Sequence, residues 1–223
     1  MTVWLDGPMG SVLLARGIAD VFGANLTAGA LVRDTHQSYI EAGADILLTN
    51  TLTAAAEFAR DEPRAQEGVL AALEHVRGHR AYFSLGPAPL HPACLAAVRA
   101  AYTNGAVAGA WLETFLGDDP RIDAWLAALA GVPTVLTTVT PTLPRRGLAA
   151  FGANCGTAPL GAPARPPVAN SPFVWKPATR LGDERLSVRQ IAAIAKDLEV
   201  DWIGLCCGGT AAQLFELRKA YIE

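Results

Sequence analysis

The strongest constraint on the fold is a rhythm. Eight short β-like runs, at residues 3–5, 45–49, 81–85, 110–113, 134–139, 148–152, 167–170 and 202–206, are separated for most of the chain by stretches of helical spacing. The clearest helical stretches are 31–42, 65–77, 92–102, 122–130, 188–198 and 211–221. Strand and helix in alternation predict a parallel sheet, because a parallel crossover needs about a dozen residues and is usually filled by a helix. Eight such units predict an α/β fold of the (β/α)8 TIM barrel kind. Two crossovers break the rhythm: 141–147 and 156–167 are rich in Pro, Gly and Ala and carry no helical period. The expectation is a reduced barrel lacking one or two outer helices between strands 5 and 7. Such a loss would bare the apolar outer faces of 134–139 and 148–152. Bare flanks of that size predict a homodimer, with a separate partner protein as the alternative.

With 223 residues, 51% of them hydrophobic, the chain can bury one large core, and a single domain over 1–223 is expected. The net charge of -3, without Lys/Arg runs interleaved with aromatics, gives a nucleic-acid surface no electrostatic basis. No apolar segment reaches membrane-spanning length, and the start lacks the basic and apolar parts of a signal peptide. A cytoplasmic protein acting on a small molecule is expected. Four cysteines in a reducing compartment point to metal or catalysis more than to disulfides.

Active sites of barrels lie at the carboxyl ends of the strands. Asp6, Asn50, Glu113, Asn154, Cys155, Cys206 and Cys207 fall at or just after the predicted strand ends. Cys155 in Gly152-Ala153-Asn154-Cys155-Gly156 and the pair in Gly204-Leu205-Cys206-Cys207-Gly208 each follow a short apolar run. Three thiolates converging on one cleft would bind zinc and leave a fourth, catalytic position open. The competing reading is that these cysteines fill a core, as free cysteines often do. Cys94, inside a helical stretch, is expected to be a small hydrophobe. His36, spaced with Arg33 and Tyr39 along a helix, is expected to pack or hydrogen-bond and not to ligate. His75, His79 and His91 lack metal-ligand spacing.

The chain resembles the homocysteine S-methyltransferase family, which includes betaine–homocysteine methyltransferase and the homocysteine domain of cobalamin-dependent methionine synthase. The resemblance rests on Leu5-Asp6-Gly7-Pro8-Met9-Gly10-Ser11, on the stretch from Val32-Arg33-Asp34-Thr35-His36 through Gly43-Ala44-Asp45 to Thr49-Asn50-Thr51, on Leu112-Glu113-Thr114-Phe115, and on the two cysteine motifs, in that order. It implies a shortened member of the family, a zinc-containing TIM barrel that methylates the thiol of homocysteine to methionine. On that resemblance Cys155, Cys206 and Cys207 are the zinc ligands, and Glu113 and Asp6 hold the substrate ammonium. Asn170 aligns with a pocket asparagine, and Asn154 shapes the strand end beside the first ligand and joins the substrate-binding set. Two departures stand out. Leu205 replaces the family's glycine before the cysteine pair, and bulky Ser171-Pro172-Phe173-Val174-Trp175 follows Asn170 where the family has small residues. The loops that would recognise a methyl donor are shortened, so a small sulfonium, a betaine-like ammonium and a methylcorrinoid protein all remain as donors. Two further readings stay open: methylation of another thiol or selenol, and a non-catalytic zinc-binding descendant.

Overall fold

The computed structural model describes residues 2–114, 119–139, 147–155, 171–181 and 184–223. In chain order the elements are β1 (Val3–Trp4), α1 (Met9–Ala15), α2 (Ala24–Thr27), α3 (Gly29–Glu41), β2 (Leu47–Leu48), α4 (Ala54–Arg60), α5 (Glu62–His75), β3 (Ala81–Leu85), α6 (Pro92–Thr103), β4 (Ala110–Thr114), α7 (Arg121–Ala128), β5 (Thr134–Thr138), β6 (Ala150–Asn154), β7 (Phe173–Lys176), β8 (Arg180–Leu181), β9 (Glu184–Arg185), α8 (Val188–Asp197), β10 (Trp202–Ile203) and α9 (Ala211–Ile222).

Eight strands form one parallel sheet in the order β1-β10-β7-β6-β5-β4-β3-β2, and a parallel bridge between Leu5 and Ile46 brings its two ends together. This is the TIM-barrel-like arrangement that the alternation predicts. Successive side chains on a strand point to opposite faces, so the buried residues divide into two layers. Leu5, Leu48, Tyr82, Trp111, Val135, Ala150, Val174 and Trp202 form the inner cluster. Leu47, Phe83, Leu112, Leu136, Phe151, Phe173, Trp175 and Ile203 belong to the larger cluster between sheet and helices. Tyr82, Trp111 and Trp202 fill the interior with ring centroids 5.9 to 6.2 Å apart. Helices α8 and α9 open with capping boxes at Ser187/Gln190 and Thr210/Gln213, which satisfy the otherwise orphaned first-turn amides.

Three expectations need correction. The expected strand at 167–170 lies outside the described residues, and the strand that joins β6 to β10 is Phe173–Lys176. The bulky run therefore is the seventh barrel strand, and its size suits the two layers it packs between. The cysteine pair is not at the end of a long strand, because β10 stops at Ile203 and the chain turns at Gly204, where a Cβ would come within 2.7 Å of the Leu5 Cβ. The third correction concerns the flank. Among the described residues no helix lies between β5 and β7, yet β5 and β6 are buried along their whole length. Leu136 and Phe151 pack in one cluster with Trp125, Leu129, Leu148 and Phe173, and the Phe151 and Phe173 rings lie 6.0 Å apart. The bare apolar faces behind the homodimer expectation are absent there. No helix among the described residues is long and apolar enough to cross a membrane.

Candidate active site

A cavity of about 360 Å³ opens at the carboxyl ends of the strands, where Glu113, Asn154, Cys155, Lys176, Cys206 and Cys207 meet. Its remaining wall is largely apolar and includes Met9, Val21, Leu52 and Leu205. The leucine that stands in place of glycine thus forms part of the wall beside the cysteines.

Each cysteine is placed by backbone contacts to the stretch that continues β7. The Cys155 amide donates to the Lys176 carbonyl at 2.9 Å, and the Cys206 amide donates to the Pro177 carbonyl at 2.8 Å. The Thr179 amide in turn donates to the Cys207 carbonyl at 3.0 Å. Cys155 adopts a left-handed backbone, with φ of 55°, which is uncommon for a residue with a side chain and typical of functional sites. Gly208, with φ of 78°, turns the chain after the pair so that Thr210 can cap α9 at once. The sulfurs of Cys155 and Cys206 are in disulfide contact, contrary to the expectation of metal over disulfides, while Cys155 Sγ lies 3.4 Å from Cys207 Sγ and all three lie within 4.8 Å of one another. Tetrahedral zinc with Zn–S bonds of about 2.3 Å places its sulfurs roughly 3.8 Å apart. The donor set suits such an ion, whose binding would draw the Cys155 and Cys206 sulfurs apart, and the cavity supplies room for a fourth ligand. Cys94 is buried away from this group, where burial pushes its thiol up to about 12.

The acidic residues sit differently from each other. Glu113, on the inward side of β4, keeps 17% side-chain exposure and lines the cavity. Asp6 is 2% exposed and is not part of the cavity wall. Its Oδ2 accepts the Leu48 amide at 2.7 Å, and its Oδ1 lies 3.6 Å from the Nζ of Lys176 without a hydrogen bond. Burial raises the Asp6 carboxyl to about 6, against the opposing pull of the Lys176 ammonium. Lys176 ends β7 and is itself buried; its Nζ is 3.9 Å from Glu113 Oε1 and 5.6 Å from the centroid of the Trp111 ring. Asn154 Oδ1 is buried without a partner at the same end of the barrel. Asn170 lies outside the described residues.

Sequence reading missed Lys176, although a lone lysine closing an apolar Phe-Val-Trp run at a strand end is a readable signal. It also missed the hydroxyl cluster at the cavity wall, where Thr49 and Ser84 line it. Thr49 and Thr51 hydroxyls pair at 2.6 Å, Thr51 donates to the Ser84 carbonyl, and the Ser84 amide donates to Thr49 Oγ1. Asn50 does not point chemistry at the cysteines; its amide is spent on the Val21 carbonyl at 2.6 Å and on Asn25. His36 is buried in α3, away from the cavity wall, as expected.

A parallel barrel with three cysteines gathered at its carboxyl face defines a TIM-barrel-like protein with a thiol-rich, metal-competent centre. Residues 3–109 match the family model described as homocysteine S-methyltransferase, so the resemblance seen in the sequence is borne out. Among solved structures, the metallated form of the homocysteine methyltransferase MmuM from Escherichia coli is similar, with a TM-score of 0.70 and 18% identity over 98% of this chain and 96% of that one. The oxidized form of the same protein gives 0.69 and 20% identity over 98% and 95%. A tryptophan synthase from M. tuberculosis in its aminoacrylate-bound form gives 0.51 and 17% over 99% and 91%. These likenesses show the fold. No curated protein matches the chain in sequence.

Proposed function

We propose that the chain is a zinc-dependent methyltransferase that methylates the thiol of homocysteine, with Cys155, Cys206 and Cys207 as the metal ligands and Glu113 holding the acceptor's ammonium. The observation that carries this reading is the convergence of three sulfurs within 4.8 Å at the mouth of a cavity that also presents a carboxylate. A free thiol, with a pKa of about 8.5, is mostly protonated and a poor nucleophile at neutral pH. Zinc held by the three thiolates would keep an incoming thiol deprotonated, while their negative charge leaves its sulfur electron-rich.

The rest of the work is positioning. In the transfer a sulfur–carbon bond forms as the bond from that methyl carbon to the donor's positively charged sulfur or nitrogen, or to a corrinoid metal, breaks; the electron pair leaves with the donor and the thiol proton goes to solvent. An in-line approach needs the acceptor held at more than one point. The cysteines fix the sulfur end, and Glu113 offers a charge-assisted contact for the ammonium. The apolar wall of Met9, Val21, Leu52 and Leu205 limits water around the reacting atoms.

The test is metal content and turnover together. Purified protein should carry about one zinc per chain, and Cys155→Ser, Cys206→Ser and Cys207→Ser should each lose most of it, because two protein ligands are too few for tight binding. Zinc-loaded protein should methylate homocysteine with at least one of a sulfonium, a betaine-like ammonium or a methylcorrinoid protein. Full zinc in all three variants would overturn the ligand assignment, and methylation of a different thiol or a selenol alone would move the acceptor.

A further inference from the structure

The geometry points to Lys176 as the group that receives the acceptor's α-carboxylate, so that the cavity selects a zwitterionic amino-acid thiol. This rests on the thiol-methylation reading above and extends it to a residue the reading does not use.

Among the described residues, one carboxylic acid and one lysine line the cavity, Glu113 and Lys176, with Oε1 and Nζ 3.9 Å apart. An α-amino acid carries its ammonium and carboxylate on one carbon, so its two charges can meet Glu113 and Lys176 in a crossed pair. The third member of the group, Asp6, is in a different place. It lies outside the cavity wall and is 2% exposed, so its carboxylate faces the lysine and not a ligand. Its place is that of the lysine's counter-ion, held by the Leu48 amide. Below the ammonium lies the face of Trp111, itself fixed by an indole N–H to Thr137 at 3.0 Å.

The separations decide between structure and function. A lysine placed only to neutralise buried acids would be expected to hydrogen-bond one of them, as charge-assisted pairs do at about 2.7–2.9 Å. Here the two carboxylates lie 3.6 and 3.9 Å away, longer than such a bond, so the ammonium sits between the two acids and over Trp111 without closing tightly on either. Lys176 also stands on the strand next to Cys155, paired with Asn154 in register. A thiol anchored at the cysteines therefore has its far end within the reach of this pair.

Binding calorimetry on the zinc-loaded protein tests the assignment with three thiols: homocysteine, 4-sulfanylbutanoic acid, which lacks the ammonium, and 3-aminopropane-1-thiol, which lacks the carboxylate. Lys176→Met should weaken homocysteine and 4-sulfanylbutanoic acid by about ten- to a hundredfold, the worth of a charge-assisted contact, and leave 3-aminopropane-1-thiol nearly unchanged. Glu113→Gln should give the mirror pattern, and Lys176→Arg should retain carboxylate discrimination. Because Lys176→Met leaves the Asp6 carboxylate uncompensated, the double variant Asp6→Asn/Lys176→Met provides a neutral, foldable version of the same comparison. Equal weakening of all three thiols would make Lys176 a structural residue. Stronger binding of the two amino-thiols would show that it competes with the substrate ammonium. Either result, or no change, overturns this inference while thiol binding stands; failure of all three thiols to bind the wild-type protein would overturn the methyltransferase reading as well.

Discussion

Gly152 is the position at which a single methyl group should do the most damage. It lies in the middle of β6, opposite Val174 of β7, and a Cβ built there would stand 1.8 Å from the Val174 carbonyl oxygen and 2.6 Å from its carbon. Real Cβ contacts stay beyond about 3.0 Å, so Gly152→Ala must push β6 and β7 apart by about 1 Å or more. Backbone cannot swing aside as a flexible side chain can. Overpacking of a buried site costs about 1–3 kcal/mol and occasionally more, and in a domain of this size about 3 kcal/mol lowers the melting temperature by roughly 6–12 °C. The same displacement reaches the functional end of the strands, because Cys155 follows β6 and donates its amide to Lys176 of β7. Misplacement of about 1 Å can cost about a hundredfold in turnover. Thermal melting followed by zinc titration and homocysteine binding measures both effects. A variant that melts within a degree of wild type and binds zinc and thiol normally would refute the close approach of these strands, and with it the register that brings the cysteines together.

Two pH predictions follow from buried groups. His36 is 1% exposed with both ring nitrogens unpartnered, and burial lowers its pKa to about 4. The unfolded chain takes up a proton below about 6.5 that the native state refuses, so stability should fall by about 3 kcal/mol as pH drops from about 6.5 to 4; His36→Leu should remove that loss in chemical denaturation at each pH. Asp6 has the opposite sign. Its native carboxyl, raised to about 6, keeps a proton that the unfolded chain releases near 3.8, so stability should fall by about 3 kcal/mol as pH rises from about 4 to 6, and the wild-type curve minus that of Asp6→Asn should show this slope. A flat difference curve would mean that Asp6 is not desolvated.

The fold was legible because its signals are local and repeated. Six helical stretches read from periodicity correspond to α3, α5, α6, α7, α8 and α9, and the barrel follows from their alternation with strands. Strand ends were less legible. A strand of two residues such as β10 has too few side chains to show alternation, and its true limit is set by Gly204 passing close to Leu5, a tertiary contact no local pattern reports. The seventh strand was misplaced for a related reason: Phe173–Lys176 is buried on both faces, so it shows no period of two. The buried flank at β5 and β6 was lost because helices are not the only cover for a sheet: side chains outside helices, such as Leu148 and Phe173, pack there as well.

That misplaced strand explains why so short a chain can keep an intact cysteine triad. The three cysteines come from two segments that are not neighbours in the sheet, since β7 lies between β6 and β10. The β7 stretch binds both. Its Lys176 and Pro177 carbonyls accept the amides of Cys155 and Cys206, and its Thr179 amide donates to the carbonyl of Cys207. Sulfur positions are thus set by backbone bonds across three adjacent strands, and outer helices contribute to them only indirectly. Trimming crossovers between β5 and β7 changes the length of the path along the chain and leaves that register in place. The same stretch presents Lys176 to the cavity, so the strand that gathers the metal-competent sulfurs also sets the charge facing the acceptor. A substitution in β7 should therefore disturb thiol positioning and acceptor recognition together, whereas one in β10 before Gly204 should reach the acceptor only through the cysteine pair.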